Sequence, residues 1–480
     1  MQEDATTRSE TFTATAATTA TTPIVIDATY DTAFYSSVVV TPGAMARTFS
    51  ITATTRSDLS TGTQSSPIQL RACRETACTN IYAGPGATYT LAMTVTPSEW
   101  VTYQRNAAHT GYVPATLDPV KFTKAWEVPG LSDPNREGGL IAVSGSVYFT
   151  VGHRLYSLNE ATGAQNWMYE PADAATFLGA PGYHNGRIYL PFTLTSPTPT
   201  FTGDSTIRGI DAATGAPLTN AMFDSTGGGV NLNSPTFQAG AMYFLRGEFQ
   251  RRAYRFALPA GTTTWDKQYV GDYLAAQTPA VDESQVYLHV VNGLVILDKA
   301  TGEMLPGSAP YGGSTVGDSM SPVLTEGGHV IGRDYFDGNR LIAIDRRTRA
   351  RAWTGRTGYP YQPITAGNVI YAFHADNNAT IDAISDTDGT VLWSIPVPKG
   401  ETLGSYPDSP SIGPYENMIL TDNMLFFGTQ KNVYAVDLTT RQTVWSYPVR
   451  GQMVLSSGMV LYIFERIFMG DSRVIAIKLT

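Results

Sequence analysis

The sequence predicts an all-β chain: an eight-bladed β-propeller preceded by a small immunoglobulin-like β-sandwich. Three observations predict it. A strand–turn–strand unit recurs seven times between about residue 140 and the C-terminus, no amphipathic helical segment separates the copies, and an incomplete eighth copy ends the chain. At 480 residues the chain is too long for one ordinary core. Its 42% hydrophobic and 11% aromatic content is ample for a packed interior.

Taken in order, residues 1–22, MQEDATTRSETFTATAATTATT, carry little to bury and read as a flexible Thr/Ala-rich tether. Residues 23–97 change to short alternating runs such as TFSITATTRS and TYTLAMTVTP, rich in β-branched residues and broken by turns, the pattern of a sandwich. The chain's two cysteines, Cys73 and Cys78, fall here in RACRETACTN. Their spacing suits a disulfide across a short turn, with unlinked thiols as the alternative; zinc lacks a second ligand pair.

Residues 98–480 are periodic. The units are LYSLNEATGAQNW ending at Trp167, IRGIDAATGAPL around Gly215, AYRFALPAGTTTW ending at Trp265 and LVILDKATGEML around Gly302. LIAIDRRTRARAW ending at Trp353, IDAISDTDGTVLW ending at Trp393 and VYAVDLTTRQTVW ending at Trp445 complete the series. A strand of the Val-Tyr-Phe type precedes each, as at Val147-Tyr148 and Ile370-Tyr371. The Asp-x-x-Thr-Gly turn fits a tight antiparallel connection, where glycine tolerates positive φ and the carboxylate bonds turn amides. The eighth unit, SSGMVLYIFERIFMGDSRVIAIKLT, stops without its outer strand, and FTKAWEVPG near residues 122–129 is expected to supply it and close the ring. Trp126 in that strand joins Trp167, Trp265, Trp353, Trp393 and Trp445, so six of the seven tryptophans occupy one slot, expected to dock blade against blade.

These residues resemble the PQQ-like (quinoprotein) propeller repeat, whose hallmark is a strand, a D-x-x-T-G turn and a Trp. The lead-in WVTYQRNAAHTGYVP is similar to the segment that precedes the first blade in bacterial members, and the cysteine hairpin resembles that of small immunoglobulin-like modules in Gram-negative exported proteins. The resemblance implies one of two functions. One branch of the family holds pyrroloquinoline quinone and calcium over the channel, beside bridged adjacent cysteines. The other, which includes the propeller lipoprotein of the outer-membrane β-barrel assembly machinery, binds no cofactor and scaffolds other proteins. This chain has no adjacent cysteine pair and neither cysteine lies in the propeller, which favours the second branch. The expectation is therefore an exported, non-catalytic platform for a protein partner in the periplasm, at the outer membrane or at the cell surface of a Gram-negative bacterium, without a cofactor. A quinone- and calcium-dependent oxidoreductase and a carbohydrate-binding adhesin for a polysaccharide are the alternatives.

Candidate ligand groups are those before the innermost strands: Arg136, Glu137, Asn231, Asn233, Gln277, Asp318, Gln362, Glu416, Asn417 and Gln452. Such a ring of amides and a few acids suits a small polar ligand or hydrated cation, and equally a water-filled channel whose strand ends need partners. Asp318 and Glu416 are the acids placed to meet calcium. Asp334 and Asp337 in RDYFDGNR, and Asp376 in HADNNAT, read as hairpin turns. Tyr311, Tyr359 and Tyr361 are the aromatics an adhesin would expose. His109 reads as a structural anchor, and Gly227 to Gly229 as an inter-blade loop rather than a phosphate site. A net charge of −9 leaves no overall footprint for nucleic acid, and the best apolar run, MVLYIFERIFMG, is broken by Glu465 and Arg466, so no membrane helix is expected.

Overall fold

The computed structural model describes residues 7–17, 23–56, 59, 61–132, 138–172, 176–194, 205–225, 234–246, 252–268, 278–290, 293–307, 309–310, 320–334, 337–375, 378–399, 401, 417–465 and 471–480. The chain divides into two units, Met1–Ser98 and Glu99–Thr480. Among the described residues all regular structure is β apart from one 3-10 turn, Pro119–Lys121.

The first unit holds two three-stranded sheets around one core. In strands Thr48–Thr55 and Ala87–Val95 every second residue is buried, so Phe49, Ile51 and Ala53 face Leu91, Met93 and Val95. That alternation is the sequence signature of a half-buried strand. Cys73 and Cys78 form a disulfide. The tether expected over residues 1–22 is corrected: Ser9–Thr15 is a strand, antiparallel to Thr48–Thr55 with Ser9 opposite Thr54 and Thr15 opposite Thr48. Its composition hid a period of two. Phe12 stacks on Tyr89 with centroids 3.8 Å apart, while β-branched threonines, good strand formers, take the exposed positions.

The second unit is a β-propeller. Seven successive four-strand or five-strand antiparallel sheets span residues 140–169, 176–225, 236–268, 280–310, 323–354, 364–396 and 419–447; we call them blades 1 to 7. Blade 8 takes Gln452–Leu455, Val460–Glu465 and Asp471–Lys478 from the C-terminus and Thr123–Ser132 from the start of the unit, with Trp126 opposite Ala476. The innermost strands of neighbouring blades lie side by side, as Leu140–Val143 of blade 1 lies beside Gly182–His184 of blade 2 and Gln452–Leu455 of blade 8; in blade 2 an additional strand, Thr176–Leu178, comes first in the chain. The fourth strand is the outer edge.

Outer rims meet through one recurring contact. The indole N–H of Trp126 donates to Glu160 O at 2.8 Å, that of Trp167 to Ala212 O at 3.1 Å, that of Trp265 to Lys299 O at 3.0 Å and that of Trp353 to Asp386 O at 2.7 Å. In each case the acceptor opens the turn of the next blade. The ring lies over that turn's glycine: a Cβ on Gly163 or Gly215 would come within 2.6 Å of Trp126 or Trp167. The glycine is therefore required twice, for positive φ and for the face of its neighbour's tryptophan. The pairing is not strict: blade 2 has Thr219 in the tryptophan slot, yet the facing turn of blade 3 keeps Gly261 at φ 74. Blade 4 has Pro306 in the tryptophan slot, and blade 5 has Arg349 in the glycine slot, whose Nε donates to Pro306 O at 2.7 Å. At the next exception the guanidinium of Arg441 lies 5.0 Å from the ring of Trp393. Trp445 instead meets Phe122 edge-on at 5.5 Å. Within the turns, Asp211 and Asp298 accept from the backbone N–H and hydroxyl of Thr214 and Thr301, which hold both carboxyls below the usual range.

The double requirement can be separated. Gly389 has φ +73 and would place a Cβ 2.5 Å from Trp353, whereas Gly186 has φ +77 and open space. Gly186→Ala should cost about 1 kcal/mol from backbone strain alone. Gly389→Ala should cost ~1–3 kcal/mol more from overpacking. Urea unfolding of both variants checks this, and equal losses would mean the tryptophan contact carries no energy.

Candidate functional site: a strapped central channel

The first strands present their inner edges to the propeller axis, where buried backbone groups need partners. The lead-in, residues 99–117, supplies them. Trp100 exchanges two backbone hydrogen bonds with Ala142 of blade 1, each 3.1 Å. Tyr183 N of blade 2 donates to Val101 O at 2.8 Å, and Thr102 Oγ1 donates to Pro235 O of blade 3 at 2.7 Å. Val281 N of blade 4 donates to Ala107 O at 2.8 Å, and Leu324 N of blade 5 to Ala108 O at 2.9 Å. Thr365 N of blade 6 donates to Thr110 O and Leu420 N of blade 7 to Gly111 O, both 2.9 Å. Ser457 Oγ of blade 8 donates to Glu99 Oε2 at 3.0 Å. The segment visits blades 1 to 7 in chain order, like a strap laid around the inner rim.

Tight turning makes this reach possible. Gln104, Arg105, His109 and Gly111 all have positive φ, between 49° and 79°. Asn106 Oδ1 accepts from Ala108 N and Thr110 N at 3.2 Å, and its Nδ2 donates to Thr110 Oγ1 at 2.9 Å, pinning the sharpest part of the path. Arg105 donates to Tyr112 O. Gln104, Arg105 and His109 are buried, so the strap is core rather than surface loop. Such non-glycine positive φ values persist only where the surroundings over-determine them.

His109 is the anchor. Its Nδ1–H donates to Pro322 O at 2.8 Å, while burial pushes its pKa down to about 4 against the smaller opposing effect of that carbonyl. The ring is therefore neutral at physiological pH.

Two of the amides nominated as ligand groups, Gln362 and Asn417, are engaged elsewhere. Gln362 Oε1 accepts from Ser321 N at 2.9 Å and its Nε2 donates to Ser321 O at 3.1 Å. Asn417 does the same to Met453, at 2.8 and 2.6 Å. Each behaves as a strand backbone would, stitching its blade to the neighbour. Ser234 and Thr236 repeat the device, donating to Pro181 O and Pro279 O at 2.7 and 2.6 Å. Gln452 keeps one buried atom, Oε1, without a hydrogen-bonding partner among the described residues. Arg136, Glu137, Asn231, Asn233, Gln277, Asp318, Glu416, Tyr311, Asp376 and Gly227 to Gly229 lie outside the described residues.

Other nominated groups are placed by the same logic. Asp334 accepts from Asp337 N at 3.1 Å, and Asp337 pairs with Arg340 at 2.6 Å, across the hairpin between the second and third strands of blade 5. Tyr359 contradicts the adhesin expectation. It is buried, its hydroxyl donates to Asp382 at 2.8 Å, and Arg356 Nε donates to that hydroxyl at 2.8 Å. A glycine before it and prolines around it read as an exposed loop, but a carboxylate beneath drew the ring inward. Tyr361 is half-buried, edge-on to Phe373 at 5.5 Å. Among the described residues no three His, Cys, Asp or Glu side chains cluster as metal ligands would.

A second latch went unread in the sequence. The second residue of the turn reaches back to the preceding blade: Asp386, which follows Ser385, accepts from Thr325 Oγ1 at 2.8 Å and meets His329 Nδ1 at 3.0 Å, and Arg346, which follows Asp345, donates to Asp282 at 3.3 Å. Because the side chain varies in type from copy to copy, from Lys299 and Arg346 to Asp386 and Leu438, no motif signals it.

This constellation defines a class: a PQQ-like β-propeller. The family model described as outer membrane protein assembly factor BamB matches residues 110–220 and 250–480, and the chain belongs to that family. No curated protein matches. Among solved structures, BamB from Moraxella catarrhalis is similar at 12% identity and TM-score 0.53, over 74% of this chain and 99% of that one. Quinohemoprotein alcohol dehydrogenase from Comamonas testosteroni gives 12% identity and TM-score 0.55 over 79% and 80%. The computationally designed protein Ika8 gives 11% and 0.51 over 70% and 94%. Identities this low establish the fold alone.

His109 offers a test. Its pKa falls from 6.5 in the unfolded chain to about 4 in the folded one, so its contribution is complete above pH 6.5 and is lost as pH falls toward 4. Between pH 7 and 4.5 the wild type should lose ~2–3 kcal/mol more unfolding free energy than His109→Asn, which keeps a donor near Nδ1 and does not titrate. Urea titrations at both pH values measure it; equal losses would place His109 outside the folded core.

Proposed function

We propose that the chain is a non-catalytic scaffolding protein of the Gram-negative cell envelope, exported and using its propeller as a platform for protein partners. The observation that carries this reading is the strap. Inner strands that could cradle a small molecule are bonded to residues 99–117 and, through Gln362 and Asn417, to each other. A rigid ring so filled offers its edges and loops rather than its axis. Family membership supports the same reading, and suggests the outer-membrane protein assembly machinery as the partner.

The oxidoreductase alternative finds support in the likeness to quinohemoprotein alcohol dehydrogenase. Against it, two of the three described channel amides, Gln362 and Asn417, are engaged as strand partners, Gln452 alone keeping a buried Oε1 without one, and among the described residues no ligand cluster accompanies them.

One calorimetric experiment separates the two. Titrated with the soluble periplasmic part of the assembly machinery's barrel subunit, the purified protein should give a saturable isotherm with Kd of about 10 μM or tighter. Pyrroloquinoline quinone in excess calcium should give none. A flat protein isotherm with a tight, calcium-dependent quinone site would replace the scaffold with an enzyme.

A further inference from the structure

The charge of the propeller is not evenly spread. Residues 320–357, which span blade 5, contain seven arginines against four carboxylates, a net +3 in a chain of −9, so the remainder carries −12. Several of these arginines are bound within the fold. Arg346 donates to Asp282 and Thr325 O, Arg340 pairs with Asp337, and Arg356 reaches Tyr359 and Asp382. Three others cluster on the outer hairpin that joins Arg340–Asp345 to Arg351–Thr354. Arg347 and Arg351 are exposed and have no ion-pair or hydrogen-bond partner among the described residues, and Arg349 donates only to the carbonyl of Pro306. The one carboxylate in the turn, Asp345, already accepts from Thr348 N and Oγ1 at 2.6 and 2.8 Å.

Arg351–Thr354 is also an outer edge strand, paired only with Arg340–Asp345. One side of its backbone therefore has no strand partner, beside three guanidinium groups. We propose that this edge of blade 5 docks an extended acidic segment of a protein partner, which adds a strand there and places its carboxylates on Arg347, Arg349 and Arg351. The proposal rests on the platform reading and names the chemistry of its partner. Guanidinium groups pair with carboxylates in a planar, two-bond geometry, and strand addition supplies main-chain affinity. An anionic bilayer fits less well. Interfacial binding combines basic residues with inserted apolar side chains, and no large hydrophobic residue of this blade is exposed among the described residues. Charged edge residues that merely deter aggregation are the competing account, and they predict no binding.

The test uses the full chain and an alternating Glu-Thr peptide of about nine residues, strand length, labelled for fluorescence anisotropy. A Lys-Thr peptide and phosphatidylglycerol vesicles serve as contrasts. The account expects binding of the acidic peptide alone, weakened by salt and weakened about tenfold or more by Arg347→Glu with Arg351→Glu, which corresponds to ~1.4 kcal/mol. Neither side chain makes a bond in the fold, so an unchanged melting temperature should accompany the loss. No peptide binding, binding insensitive to the double substitution, or arginine-dependent binding to vesicles in place of peptide each overturns the proposal. If the doubly substituted chain still holds the barrel subunit at wild-type affinity, the edge is wrong and the platform stands. If the wild type holds neither, the platform itself fails.

Discussion

Everything in this propeller depends on closing a ring of sheets whose inner edges would otherwise bury unpaired backbone. A blade alone satisfies its own ladder but leaves one edge toward the axis and one outward. Outward, water can serve. Toward the axis the chain must supply partners, and residues 99–117 do so for the inner edges in turn, with Asn106 and His109 fixing the path. Closure is sealed again where Thr123–Ser132 completes the blade begun at the C-terminus. The start of the unit therefore both ties the inner rim and closes the outer one.

Function follows from what closure uses up. Gln362 and Asn417, two groups at the axis that might have held a ligand, hold neighbouring blades together instead, and the platform reading proposed above accordingly places recognition at edges and loops. On those surfaces the chain is free to vary without disturbing the tryptophan-on-glycine contacts or the strap. Blade 5 shows one variation: Pro306 of blade 4 stands in the tryptophan slot, and the facing turn carries Arg349 at φ 58, its Nε bonded to Pro306 O.

The repeat was legible because its turn chemistry is local: Asp, Thr and Gly act within five residues, and the tryptophan follows at fixed spacing. The closing strand was legible from the same slot, since Trp126 looks like the five other tryptophans that occupy it. The strap was not. Its bonds come mainly from backbone carbonyls of Val101, Ala107, Ala108, Thr110 and Gly111, and a carbonyl's partner leaves no mark in residue type. Gln362 and Asn417 were read correctly as polar groups at strand ends, yet only coordinates could tell a ligand from the next strand as their partner. Tyr359 was misplaced because Asp382, which draws it inward, lies 23 residues on. Ser9–Thr15 was missed because threonine-rich composition outweighed a two-residue period.

Native-state hydrogen exchange tests the central claim most directly, read at the amides of Tyr183, Val281, Leu324, Thr365 and Leu420, which donate to the strap from five blades. If the strap closes the inner rim, these amides exchange only through global unfolding, with one shared free energy. Rapid exchange at these positions, while the strand ladders beside them stay protected, would mean the axis is open to solvent and to ligands, contradicting the account.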